Sequence, residues 1–250
     1  MSIAETIAVN FSSPIWRMQI DESEDLLFVE VRNTAEKQVS FSGLDLKTGA
    51  ITFKDLVMPE RWLTGMEAAT GGVLLLHGFQ SEKLPLHKGL TALDGRTGEI
   101  LWADYNLNYD SHTTKSFIVY DARFQPKKTF QIHPLTGERL ADSESDDQIN
   151  SEIKLPEIVD ANLISLPLPV APHGNAIHYL RHNEFEIVSL HALNNGRFNQ
   201  YLYVFNGEKQ VVYQDIVNEE IQKLQPEAFI SYKNQLIWLK NQHSLKVVNL

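Results

Sequence analysis

The segment Ala92-Leu93-Asp94-Gly95-Arg96-Thr97-Gly98-Glu99-Ile100-Leu101-Trp102 constrains the fold more than any other stretch of the chain. It reads as two short strands joined by a polar turn. An aspartate side chain can accept from backbone N–H groups two residues on, and Gly98 can take the positive φ that such a turn needs. Ile100 and Trp102 share one face of the second strand. The same frame stands earlier as Gly43-Leu44-Asp45-Leu46-Lys47-Thr48-Gly49-Ala50-Ile51-Thr52-Phe53. A worn copy follows at residues 131–137, with Ala141 where the aromatic would stand, and a shortened one at Val204-Phe205-Asn206-Gly207. Val247-Val248-Asn249-Leu250 reads as the strand before a further turn. With Asp45, Asp94, His133, Asn206 and Asn249 as equivalents, the separations are 49, 39, 73 and 43 residues. Three of the four are near ~40–50 residues, the period of stacked four-stranded units.

The pattern Ala-x-Asp-x-x-Thr-Gly-x-x-x-Trp resembles the tryptophan-docking repeat of quinoprotein-type (PQQ-like) β-propellers. Residues 92–102 fit it at every defined position; residues 43–53 fit with Gly for Ala and Phe for Trp. In that family the Trp packs on the neighbouring blade and the turn fixes the outer strands. The resemblance implies these structural roles for Asp45, Thr48, Gly49 and Phe53, and for Asp94, Thr97, Gly98 and Trp102. The expected fold is therefore all-β, one domain over residues 1–250. It is a small β-propeller of five blades, each of four antiparallel strands, with six blades as the alternative reading of the 73-residue gap. Residues 14–20 alternate, with Trp16, Met18 and Ile20 opposite Arg17 and Gln19. This N-terminal strand is expected to complete the last blade and close the ring, with Trp16 as its docking aromatic. Closure would remove two free sheet edges. Catalytic members of the family hold PQQ beneath adjacent cysteines, with calcium, in an eight-bladed ring. This chain has no cysteine and too few repeats, so no cofactor is expected; the resemblance implies a non-catalytic bacterial member.

Composition narrows the partners. The net charge of −10 and the lack of a basic run with interleaved aromatics disfavour nucleic acid. Absence of cysteine excludes disulfides and thiolate sites. The first residues carry neither a cationic stretch nor an apolar one, and no apolar run approaches the ~20 residues that span a membrane. The expectation is a cytoplasmic protein with no membrane partner.

Elsewhere the pattern is less regular. Residues 1–10 read as a lead-in and residues 142–147, all acidic or Ser, as a solvated loop. Two prolines at 167 and 169 allow only an edge or irregular strand. Val217, Ile221 and Leu224 have the spacing of one helical face, predicting a short helix over 215–224.

The chemistry-bearing residues also have plainer roles. His173, His178 and His182 are the densest histidines, yet strand periodicity spreads 178 and 182 along a face, which favours structural histidines over a metal site. Asp21, Glu67, Asp110 and the pair Glu184 and Glu186 could furnish carboxylates for glycoside hydrolysis around a channel, although solubilising charge explains them as well. No phosphate loop or nucleophile elbow is present. The connections holding Trp62 and Tyr109, Asp110 and His112 combine aromatic and polar groups, and these four are the candidate binding residues. The leading expectation is a non-catalytic scaffold that binds another protein or a small ligand at the channel mouth. The alternative is a glycoside hydrolase-like enzyme.

Overall fold

The computed structural model describes residues 3–141 and 150–250, and the acidic run at 142–147 lies outside them. The chain forms two compact units, one of residues 13–151 and one of residues 1–12 with 152–250. The described residues carry twenty-one strands and two short 3-10 turns.

Strand β1 (Glu5–Asn10) belongs to the unit formed by the two ends of the chain. The unit of residues 13–151 holds three antiparallel sheets in chain order. The first is β2 (Ile15–Asp21), β3 (Leu26–Asn33), β4 (Gln38–Asp45) and β5 (Ile51–Leu56). The second is β6 (Thr64–Thr70), β7 (Val73–Ser81), β8 (Leu84–Asp94) and β9 (Ile100–Asp104). The third has only β10 (Leu107–His112), β11 (Phe117–Asp121) and β12 (Thr129–Ile132).

The repeated frame makes the outer hairpins of the first two sheets. Asp45 Oδ1 accepts from the N–H groups of Lys47 and Thr48, and Asp94 Oδ1 from those of Arg96 and Thr97. Gly49 and Gly98 follow with φ of 74° and 76°. Each terminal aromatic lies on the glycine of the next frame. A Cβ on Gly98 would sit 3.1 Å from the Phe53 ring, and one on Gly137 would sit 2.9 Å from the Trp102 ring. Trp102 Nε1 also donates to Pro134 O at 2.7 Å. In the worn copy His133 Nδ1 takes the aspartate's place, accepting from Leu135 N. The turn forms there, and beyond it, among the described residues, a single bridge joins Ile132 to Arg139. Ala141 offers far less apolar area to bury than Phe53 or Trp102 at the equivalent position.

The other unit pairs β13 (Ile153–Lys154) with the last sheet and builds a five-stranded sheet from five consecutive strands. These are β14 (Glu157–Asp160), β15 (Ala176–His182), β16 (Phe185–Asn194), β17 (Arg197–Phe205) and β18 (Val211–Ile221). The last sheet has the order β1, then β21 (Ser244–Asn249), β20 (Gln235–Lys240), β19 (Ile230–Tyr232) and β13.

The all-β class is present, but the closed ring of five four-stranded blades is not. The five sheets are separate, hold four, four, three, five and five strands, and none closes on itself. The strand at 14–20 does not complete the last sheet; it opens the first, with Arg17 opposite Glu30. The partner of the C-terminal strand is β1, which had read as a lead-in. Its alternation explains the choice: Ile7 and Val9 are buried and their neighbours exposed. Trp16, expected to dock, is instead 70% exposed.

Two smaller expectations also fail. Residues 215–221 are strand, because β17 offers a ladder along which Leu202 pairs Asp215 and Gln200 pairs Asn218. Pairing with a neighbour overrides the helical spacing of three apolar residues. Residues 163–170 form no ladder, since prolines lack the donor. Ile164, Leu166, Leu168 and Val170 still pack on the core of that sheet.

Candidate functional site

The unit of residues 13–151 contains a place where sheet irregularities converge. Each of its three first strands carries one extra residue relative to its partner. Between Ile15 and Arg17 the extra residue is Trp16, between Met66 and Ala68 it is Glu67, and between Tyr109 and Ser111 it is Asp110. A bulge re-aims a side chain out of the strict alternation of a strand. The first sheet is tied to the first strand of the second there: Arg17 Nη1 on β2 donates to Met66 O at 2.6 Å, and buried Glu30 on β3 accepts the Met66 N–H through Oε2 at 2.7 Å.

The Glu67 bulge turns its carboxylate toward two histidines. Glu67 Oε2 lies 2.9 Å from His77 Nδ1 and 2.7 Å from His87 Nδ1. The imidazoles are stacked, with centroids 3.6 Å apart and planes 6° from parallel. A second bulge brings His87 in: Gly89, at φ 75°, is extra between the pairs His77–Leu90 and Gly78–Lys88. On the other side, Gly65 leaves the His77 ring its room, because a Cβ there would stand 3.1 Å from His77 Nε2. Among the described residues, these three make the one grouping of metal-ligand type.

The electrostatics are unequal. Burial opposes ionisation of Glu67, but the two imidazoles outweigh it and hold its carboxyl below the usual range. Burial pushes His77 down, more than Glu67 lifts it, so the buried ring is neutral at pH 7. His77 is only 3% exposed, and neither ring nitrogen makes a hydrogen bond; the contact of Nδ1 with Glu67 is close but out of line. Such an orphaned buried polar atom costs ~1–3 kcal/mol. His87 is the open side of the cluster, its side chain 39% exposed.

Aromatic rings and a guanidinium adjoin the cluster. Phe79 meets both His77 and His87 edge to face, at 4.6 and 5.4 Å. Arg32 is fixed by Glu30 Oε1 and Thr64 O, and its guanidinium faces Trp62 at 5.4 Å, Trp16 at 5.8 Å and Phe79 at 5.9 Å. Such contacts contribute ~0.5–2 kcal/mol each.

Of the residues singled out from the sequence, Trp62 sits in the β5–β6 connection, half-buried against the first core and beside Arg32. Tyr109, Asp110 and His112 lie on β10 rather than in a loop. Tyr109 Oη is 2.5 Å from His112 Nδ1. Burial, followed by the nearby Glu67 and Asp110 charges, pushes the Tyr109 phenol up to about 12. Asp110 pairs with Lys127, which holds its carboxyl low. Of the candidate acids, Asp21 is buried and caps the turn at Ser23 and Glu24 while accepting from Gly72 N. Glu184 is in the β15–β16 turn, and Glu186 accepts from Tyr179 Oη at 2.6 Å.

The dense histidines separate. His178 contacts Pro226 O, His182 contacts Ser231 Oγ, and His173 packs on the Phe198 ring. His77 and His87 had no motif to mark them. The available signal was a titratable residue ending the apolar run Val73-Leu74-Leu75-Leu76, which only strand register connects to positions 67 and 87.

Among the described residues no helix is long and apolar enough to cross a membrane. Residues 20–102, about a third of the chain, match the family described as a domain of unknown function, DUF4905. The match spans both good copies of the frame and the whole Glu67–His77–His87 cluster. No curated protein matches the sequence. Similar solved structures include BamB from Moraxella catarrhalis, at 10% identity and TM-score 0.32 over 99% of this chain and 100% of that one. The β-propeller domain of the Trilobed protease from Pyrococcus furiosus, described as having an open velcro topology, gives 10% identity and TM-score 0.34 over 92% of this chain and 64% of that one. A DUF4221 family member from Bacteroides vulgatus gives 10% and 0.24 over 99% and 98%. The family description carries no activity, and likenesses at these scores transfer none.

Proposed function

We propose that this protein is a non-catalytic binding module whose partner, another protein, docks on the surface formed by Trp16, Arg32 and Trp62. One observation carries the reading: a bulge holds Trp16 out at 70% exposure beside a guanidinium already fixed by two hydrogen bonds. A large ring left in water next to an anchored Arg supplies the residue types that dominate binding energy at interfaces, with little ordering left to do. The hydrolase alternative gains no support, because Asp21, Glu67 and Asp110 are each committed to a turn, two imidazoles or a lysine. The test is chemical cross-linking in native extract with wild type and Trp16→Ala side by side. A partner cross-linked near residue 16 in wild type and lost from the variant supports the proposal. An identical set of partners with both proteins overturns it.

A further inference from the structure

We propose that Glu67, His77 and His87 form a binding site for a single divalent transition-metal ion of the Zn2+ class, through one carboxylate oxygen and two imidazole nitrogens. The donors come from three adjacent strands, and all lie within 4.8 Å of one another. Two nitrogens and one carboxylate oxygen, with one side open to solvent, is a donor set that zinc and related ions accept, water completing the shell.

Three features of the fold converge on this cluster. The Glu67 bulge interrupts a buried ladder to aim a carboxylate at two rings. The missing Cβ of Gly65 leaves room for the His77 ring and for Arg32 Nη2, which a Cβ would meet at 3.1 and 3.2 Å. His77 is buried with neither nitrogen hydrogen-bonded, Nδ1 standing 2.9 Å from the Glu67 carboxylate, a cost that a bound ion at Nδ1 would remove in part. The present contacts of 2.7 and 2.9 Å are hydrogen-bond lengths. Donors ~2.0–2.2 Å from one ion stand roughly 3.2–3.6 Å apart, so the site must open by about half an ångström. Parallel rings also direct their lone pairs side by side, so His87 must tilt out of its stack on His77. Its exposure and its place next to the Gly89 bulge allow that movement.

The inference is independent of the partner docking on Trp16. The experiment is titration of the full-length, chelator-treated protein with Co2+, followed by visible absorption, and with Zn2+ by calorimetry. One equivalent should bind, with a d–d spectrum of low coordination number. Affinity should fall at least about tenfold in both Glu67→Gln and His87→Gln, and be unchanged in Trp16→Ala. His87 lies at the open edge, so its substitution leaves the core intact, and matching circular dichroism and thermal melting confirm the fold. Absence of binding at ~0.1 mM ion, or binding equally tight in Glu67→Gln and His87→Gln, overturns the proposal.

Discussion

The two units treat their histidines and their turns differently. In residues 13–151, side chains reach across strands to a shared target: two imidazoles to one carboxylate, and each frame's aromatic to the next frame's glycine. In the unit of the chain ends the histidines are met singly, and His182 Nε2 is buried without a partner. His191 Nε2 accepts from Gln225 N, His178 contacts Pro226 O, and buried Gln200 is shared by Ser189 and Asn218. Its Asn206-Gly207 turn is closed by Asn206 Oδ1, and a Cβ on Gly207 would meet nothing within 4 Å. A repeat that docks on its neighbour must keep its glycine and its aromatic, whereas a self-contained hairpin need not. Density of a residue type along the chain says little about convergence; strand register and bulges decide it.

The contrast in turns is the easiest to break. Trp102→Ala should cost about 3 kcal/mol, near the low end for a large aromatic because the ring is only half-buried. Gly137→Ala should cost about 2 kcal/mol, since its φ of 70° and the Trp102 ring both oppose a Cβ. Gly207→Ala should stay within about 0.5 kcal/mol of wild type. Urea midpoints for the three variants decide the matter. Equal losses at 137 and 207 would mean that docking across frames contributes nothing.

Acid should separate the histidines. Burial, then the nearby His178 and His173, lowers the His191 pKa from 6.5 to about 4. The unfolded chain therefore takes up this proton first as pH falls. The His191 contribution is fully present above about pH 6.5 and is lost between there and pH 4, amounting to roughly 2–3 kcal/mol. Carboxylates held low, such as Glu67 and Asp45, lose stability only at lower pH, through their own depressed values. The comparison is the Tm of wild type and His191→Gln at pH 7.5 and pH 4.5. The glutamine keeps an acceptor for Gln225 N and should reduce the acid-induced drop. An undiminished drop would place the sensitive group elsewhere.

The sequence made the turn frames legible because each depends on a local set: an Asp or Asn acceptor, a Thr, a glycine at positive φ. Closure was not, because which strand pairs with the C-terminal one depends on a choice between two amphipathic segments, residues 5–10 and 15–21, that both alternate. The site was least legible. Glu67 was singled out as an acid, but its partners His77 and His87 are brought to it by bulges at 67 and 89, and no short-range rule announces a bulge beyond the glycine at one of them. Trp16 was picked for the right property, a large ring on an alternating strand, and given the wrong surroundings.

The smallest expected effect tests the histidines directly, in metal-free protein. His191→Leu removes the acceptor of the Gln225 N–H and leaves it half-buried without a partner, so it should destabilise by about 1–2 kcal/mol. His77→Leu removes a buried ring whose nitrogens make no hydrogen bond, gives up the 2.9 Å contact of Nδ1 with Glu67 and fills the same space with carbon; Glu67 retains His87. It should be neutral or stabilising by up to about 1 kcal/mol. Two Leu substitutions at buried histidines, one in each unit, thus carry opposite signs. Chemical denaturation after chelator treatment measures both. If His77→Leu costs as much as His191→Leu, the His77 nitrogens are satisfied in solution, and the two units handle their buried imidazoles alike. If zinc then raises the Tm of wild type but not of His77→Leu, the difference in sign is explained by what the imidazole is kept for.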